Sequence, residues 1–457
     1  MFAWGLVMHS LVMALLFGLL QLPEGTVRAI AAWKEIGLAL LVLTVFVRSI
    51  TGRGPTSPIA WPDIWVSGLI LTAILFLLTE NLWLRFDIPA AAEYMGFRDS
   101  IYFMFLYFVG RGMPELASDE KTMRRLFYLV LFTCVVGALE RFFVSPEILV
   151  AIGVASYFQD FLGVAALMSD SDVGFGLPQN YWTGIGGHLV RRAGSVYLSG
   201  QGFAIPFLVF FPLATSWVFL RVKRSPMAVI AYLLINLGLL LTVTRAAMVI
   251  AFVQLVLFLA LMHRPEWAVA GLALATAMFL AALLVVPGFP TFVWYTLSLQ
   301  ESSSISHAND WVNGLAALAQ NPWGTGLGTT DQTALRAGLK HITGDNLYFK
   351  YGVELGLTGL LFFVMTLATL GNSAMRLYRH GKTLAEQRMG MTIWLATIGI
   401  AINGISTVAF NSITLGWIFF WLAGATVTMS ELRARATVEA ERAPSAPSPN
   451  PLTLPTA

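Results

Sequence analysis

AVIAYLLINLGLLLTVTRAAMVIAFVQLVLFLALM, residues 228–262, is a run of thirty-five residues that carries one formal charge, Arg245. A bilayer core of about 30 Å is crossed by roughly 20 apolar residues in a helix. The run is therefore long enough to cross, turn and cross back, with the turn at TVTRAA, residues 242–247. Outward from it the same texture repeats. Hydrophobic residues make up 57% of the 457-residue chain and charged residues only 12%, against about 25% charged in soluble domains. Lipid must be the solvent. Runs of sufficient length fall near 3–20, 35–50, 62–79, 99–113, 126–143 and 200–220, then near 226–243, 246–262, 268–287, 353–371, 390–408 and 412–430. The fold class that follows is all-α, a polytopic membrane protein of about twelve transmembrane helices. The most interrupted runs are 99–113, broken by Gly110, and 390–408, which carries Asn403 and Gly404.

Seventeen of the 28 lysines and arginines fall on the amino-terminal side of the membrane, mostly in short connections. Basic short loops mark the cytoplasmic face, so both termini are expected there. Two large connections, about 145–199 and 288–352, then lie outside. Connections this long are usually functional, and their aromatic and glycine content predicts folded, membrane-apposed structure on the face where chemistry takes place. Residues 1–431 read as one transmembrane domain, and 432–457, ending ERAPSAPSPNPLTLPTA, as a disordered tail. A net charge of +3 speaks against nucleic acid as a partner. The single cysteine, Cys134, excludes an intrachain disulfide framework. With no basic leader and no small-x-small cleavage site, the first segment reads as a retained helix.

Ionisable groups at membrane depth cost about 2.5–3.5 kcal/mol or more and call for a function or a partner. Arg245 is read either as a snorkelling interfacial arginine or as one held at the outer mouth to receive an anion. Arg191 and Arg192, in GGHLVRRAGSVYLSGQG, precede the sixth segment on the same face. A basic pair there is often a headgroup anchor, but guanidinium groups also match phosphate oxygens bidentately. Lys34–Glu35 and Arg98–Asp99 lie near outer helix ends, where each cation is a candidate substrate contact or half of a structural ion pair. Trp311, Leu315 and Leu318 recur at helical spacing and predict an amphipathic helix along the membrane surface, a packing stripe rather than a catalytic one. NPWGTGLG then forms a turn. The polar set His341, Asp345, Asn346, Tyr348 and Lys350 sits just before a membrane helix, where capping is the ordinary role. Glu354 lies one turn further in.

Four stretches together resemble the O-antigen ligase and O-antigen polymerase superfamily of bacterial envelope glycosyltransferases. They are RRAG before the sixth segment, TVTRAA, HANDWVNGLAALAQNPWGTGLG, and GDNLYFKYGVELGLTGL, in that order over residues 180–370. The resemblance implies transfer of a glycan from an undecaprenyl-diphosphate carrier to an acceptor hydroxyl, outside the bacterial inner membrane and with no metal or other cofactor. It implies that Arg191 or Arg192 grips the diphosphate together with Arg245. It also matches Glu354 to the family's glutamate before Gly356 and Gly359. The position before Asn346 is commonly a histidine in the ligases, taken as the base; here it is Asp345, with His341 four residues away. His307 stands where a basic residue often precedes the tryptophan, Trp311. The departure at Asp345 favours a polymerase of O-antigen or exopolysaccharide repeats over a ligase acting on lipid A core. Implied partners are the lipid-linked donor, the glycan acceptor, membrane lipids, and a flippase and chain-length regulator of the same pathway. A protein O-oligosaccharyltransferase of the same superfamily would differ only in its acceptor cleft.

Two further readings belong to other classes. A secondary transporter would show matched halves and a midplane site, and neither is visible. A metal-dependent transferase would use Asp170 and Asp172, a D-x-D that is also an ordinary turn sequence.

Overall fold

A computed structural model describes residues 2–262 and 289–442, except 56, 84–87, 165–166, 186–187, 221–224, 299–301 and 340–341. Between 263 and 288 only scattered positions are described, so the expected span at 268–287 falls largely outside the described residues. So does the proline-rich tail from 443 onward.

The principal helices are α1 (Phe2–Ala14), α2 (Glu24–Ala31), α3 (Trp33–Ile50), α4 (Trp61–Trp83), α5 (Ala90–Ser100), α6 (Phe105–Gly112) and α7 (Glu120–Phe143). After a hairpin of β1 (Trp182–Ile185) and β2 (His188–Arg191) come α8 (Phe207–Phe219), α9 (Pro226–Leu241) and α10 (Arg245–Leu261). The carboxyl-terminal set is α11 (Ser302–Gln320), α12 (Asp331–Arg336), α13 (Leu347–His380), α14 (Leu384–Asn403) and α15 (Ile413–Arg442). Seven helical stretches among the described residues are long and apolar enough to cross a membrane, and α9 and α10 are shorter apolar helices. The described residues are thus almost entirely helical with one small hairpin, in keeping with a multi-pass membrane protein. The outward side of α3 shows lipid as solvent directly: Ile36, Leu40, Leu43, Val47 and Ile50 recur at helical spacing and all lie exposed.

Two expected spans take a different form. Residues 99–113 are not one helix but the end of α5, a 3₁₀ turn at Tyr102–Met104, and α6. Gly110 there permits α6 to lie backbone to backbone on α15: a β-carbon at Gly110 would stand 2.1 Å from the Trp421 carbonyl oxygen. The other, expected at 390–408, is α14, which begins earlier at Leu384 and stops at Asn403. α15 continues to Arg442, through the first part of the expected tail.

α13 is the centre of the bundle and packs on α14, α4 and α15. One end of the bundle gathers basic residues into ion pairs: Arg48–Glu115 (2.7 Å), Arg111–Asp63 (2.6 Å), Arg388–Glu120 (2.6 Å), Arg376–Glu431 (2.8 Å) and Arg433–Glu386. All lie in connections or helix ends assigned to one side by charge counting. The two large loops gather at the opposite end. Phe2 packs on Trp33 and Trp417, so α1 begins part-way along the bundle, away from the basic end.

The first large loop is folded, as its aromatics suggest. Leu149, Val154, Tyr157, Phe161, Leu177 and Tyr181 form a small core with Met13, Ala14 and Val27. In the second loop, α11 buries Ala317 and Leu318 against Val353 and leaves Trp311, Val312 and Leu315 exposed. Leu315 therefore points away from the face that packs, and only Leu318 of the expected stripe is interior.

A break in α13 joins the second loop to the bundle. Gly356 has φ +70° inside the helix, which only glycine adopts at little cost. The carbonyls released by the break accept from the NPWGTGLG turn: Thr325 N–H donates to Val353 O (2.8 Å) and Gly326 N–H to Glu354 O (3.1 Å). In return Leu357 N–H donates to Pro322 O (2.9 Å). A β-carbon at Gly356 would stand 2.6 Å from that same oxygen. Gly356→Ala should therefore lower the thermal unfolding midpoint by an amount equivalent to about 1–3 kcal/mol; a midpoint equal to wild type would show that the break is tolerant.

Candidate active site

The four ordered stretches close into two pairs. RRAG meets TVTRAA where Ala193 N–H donates to the Leu241 carbonyl at 2.9 Å. The loop after β2 is clamped to the end of α7: Gly194 and Ser195 N–H groups donate to the Glu140 carboxylate at 2.7 and 3.1 Å. Arg191 completes the clamp. Its guanidinium donates to the carbonyls of Val144 (2.7 Å), Glu140 (3.0 Å) and Arg141 (2.8 Å) at the end of α7. Of the two arginines, Arg192 is the one on which the Arg245 charge acts. Burial first and the Arg245 charge second pull the Arg192 guanidinium below its usual pKa, and its Nε–H is buried without a hydrogen-bond partner. Two like charges held together in a poorly solvated place favour an anion between them. Left-handed backbone at Ser195, Leu198 and Val243 (φ +51°, +55°, +47°) marks both sides of this contact; such outliers persist where the surroundings hold them in place.

HANDWVNG meets GDNLYFKYGVELG through Asp310, whose carboxylate accepts from Gly344 N–H (3.0 Å) and Asp345 N–H (3.3 Å). Asn346 caps α13 by accepting from Phe349 N–H and donates its amide to Ile405 O at 2.9 Å. Trp311 donates to the same oxygen at 2.8 Å, and Tyr348 donates to Ala401 O at 2.7 Å. Lys350 and Glu354 lie deeper, 1% exposed each. Lys350 pairs with Asp331 at 2.6 Å and stands 3.5 Å from Glu354, which accepts from the Thr330 hydroxyl at 2.6 Å. His307 lies on α11 with a buried, unpartnered Nδ1. His341 lies outside the described residues.

Between the two pairs, at the loop end of the bundle, is a cavity of about 600 Å³. Its wall takes in Lys34, Arg98 and Asp345 from the predicted set; Arg191, Arg192, Arg245, Asn346, Tyr348, Lys350, Glu354, His307 and Trp311 are not on it. Arg192 stands just behind: its Cβ and Cδ would lie 2.6 Å from a β-carbon at Gly200, beside the wall residues Ser199 and Gln201. Lys34 pairs with Glu35 (3.0 Å) and Arg98 with Asp99 (2.8 Å). Aromatic rings of Tyr94, Tyr102 and Trp417 alternate with these charges, the mixture of flat apolar faces and hydrogen-bonding edges that suits a sugar ring.

Sequence reasoning missed Glu140, Asp310, Asp331 and Arg336. Glu140 and Asp310 read as ordinary helix residues, since the loops they organise are remote in sequence. Arg336 and Asp331 sit in an unremarkable polar stretch. Asp170 and Asp172 open a one-turn helix, Ser171–Gly174, and among the described residues no group of three or more His, Cys, Asp or Glu converges.

Residues 228–364 match the family model described as O-antigen ligase. This segment is similar to that family. It contains TVTRAA and both stretches of the second loop, and RRAG lies upstream and is joined to it through the Ala193–Leu241 contact. Comparison with curated proteins gives no match.

Proposed function

We propose that the protein is an envelope glycan polymerase of the bacterial inner membrane. It transfers an oligosaccharide from an undecaprenyl-diphosphate donor to a hydroxyl of a second glycan, with inversion, without a metal, and on the periplasmic face. The observation that carries this reading is the cavity, which lies between the paired stretches, at the end away from the basic ion pairs. In the proposed step the Asp345 carboxylate takes the proton of the acceptor hydroxyl, whose oxygen attacks the anomeric carbon. The bond from that carbon to the diphosphate oxygen breaks, and the electron pair leaves with the diphosphate. Arg192 and Arg245 stabilise the charge that develops there. The remaining predicted residues serve as support: Arg191 fixes the loop, Lys350 and Glu354 fix the turn before α12, and Asn346, Tyr348 and Trp311 fix the start of α13.

Purified protein reconstituted with lipid-linked repeat units tests the reading. A ladder of products that survives strong chelation is expected. A single transfer event would make the enzyme a ligase, and solute uptake with no transfer would make it a transporter. Asp345→Asn should lower the rate by about 10²–10⁴-fold; near-normal chain growth would move the base elsewhere.

A further inference from the structure

We propose that Arg336, with Arg98, forms a binding site for an anionic oxygen group, phosphate or carboxylate, on the wall of the cavity. The inference rests on the transferase reading only in taking the donor or acceptor as the natural ligand. Arg98 and Arg336 both line the cavity, and both turn to one carboxylate, Asp99. Arg98 makes the good contact, at 2.8 Å. Arg336 stands off at 3.5 Å, and its Nε–H is buried with no hydrogen-bond partner. A guanidinium has five N–H donors in a fixed fork, and a structural arginine uses most of them, as Arg191 does here. Arg336 keeps its fork largely unspent. Two guanidiniums on one carboxylate also leave this part of the wall with an excess positive charge, which a bidentate oxyanion complements.

The position of Arg336 is fixed from behind. It ends α12, whose first residue, Asp331, has left-handed backbone (φ +51°) and binds buried Lys350 at 2.6 Å. The Asp331 carboxylate also accepts from Thr333 N–H at 2.7 Å, and Thr330 is tied to Glu354. Across the cavity wall, Gly328 lies on the Ala92 backbone and Gly96 on Gly328, which sets α5 and the start of α12 at a fixed spacing. Arg336 and Arg98 are therefore presented by two rigidly joined elements, as a preorganised site requires.

The test uses full-length protein in nanodiscs and two probes, undecaprenyl diphosphate without sugar and a soluble oligogalacturonate. Wild type should bind at least one, Arg336→Gln should weaken that binding about tenfold or more, and Arg336→Lys should recover part of it. Both variants should unfold at the wild-type temperature. Loss confined to the lipid identifies the carrier diphosphate as the ligand; loss confined to the oligogalacturonate identifies an acidic sugar. Wild type that binds neither probe, or Arg336→Gln that binds as wild type does, overturns the site. Binding that depends on Arg336 in a protein that transfers no glycan would keep the site and sink the polymerase reading. Arg336-independent binding beside Arg245-dependent transfer would do the reverse.

Discussion

Arg245→Ala is expected to abolish visible polymer, lowering the initial rate of transfer by about 10²–10³-fold, while the purified protein unfolds at the wild-type temperature. The charge removed stands at the first residue of α10, next to Arg192. The two guanidiniums lie within electrostatic range of one another, so loss of either removes a favourable charge interaction when the leaving diphosphate is present. Arg192→Ala should behave alike. Arg191→Ala should not: it removes the guanidinium that bonds three carbonyls at the end of α7, and its main effect should be on the unfolding temperature. Rate assays on lipid-linked repeat, read beside thermal unfolding of each variant, separate the two behaviours. Should Arg191→Ala lose all activity while fully stable, and Arg192→Ala lose none, the assignment of roles within the pair would be reversed.

The largest effect on stability is expected for Lys350→Met. The substitution leaves two carboxylates, Asp331 and Glu354, buried without their cation; side-chain exposures in this cluster are 1–2%. Breaking a buried pair by removing one partner costs about 3–5 kcal/mol, because the surviving charge has neither water nor a counterion. Replacing both ends, as Lys350→Met with Asp331→Asn, should recover part of that loss, since the uncompensated charge is then smaller. Unfolding curves of the single and double variants in one detergent measure both terms. Equal midpoints for wild type and Lys350→Met would mean that the cluster is already hydrated or neutral.

The membrane character could be read without a structure because it depends on composition and on run length, both local properties. α3 illustrates this: Ile36, Leu40, Leu43, Val47 and Ile50, which recur along its exposed side, are all apolar. Helix ends were less legible. Residues 99–113 are mostly apolar, and the backbone approach of Gly110 to α15 is visible only in the fold, where they form a short helix after a 3₁₀ turn. The proposed site was legible in the residues that carry unusual charge at membrane depth, such as Arg245 and Lys34. It was not legible in their division of labour. Arg191 and Arg192 are chemically identical, and only the direction each side chain takes from the end of the hairpin tells a helix clamp from a partner of Arg245. Asp310 and Arg336 were invisible for a related reason: their roles are defined by neighbours 34 and 237 positions away, Gly344 and Asp99.

The break at Gly356 bears on the order in which the chain matures. Hydrocarbon offers no substitute donor for the bare carbonyls of Val353 and Glu354, and the groups that satisfy them come from residues 325 and 326, outside the helix. Until that turn has docked, the upper part of α13 must remain in an aqueous or headgroup layer, or run on as a straight rod with its glycine forced into ordinary helical geometry. Formation of the break in this helix and docking of the preceding loop are therefore coupled, because each supplies hydrogen-bond partners that the other lacks.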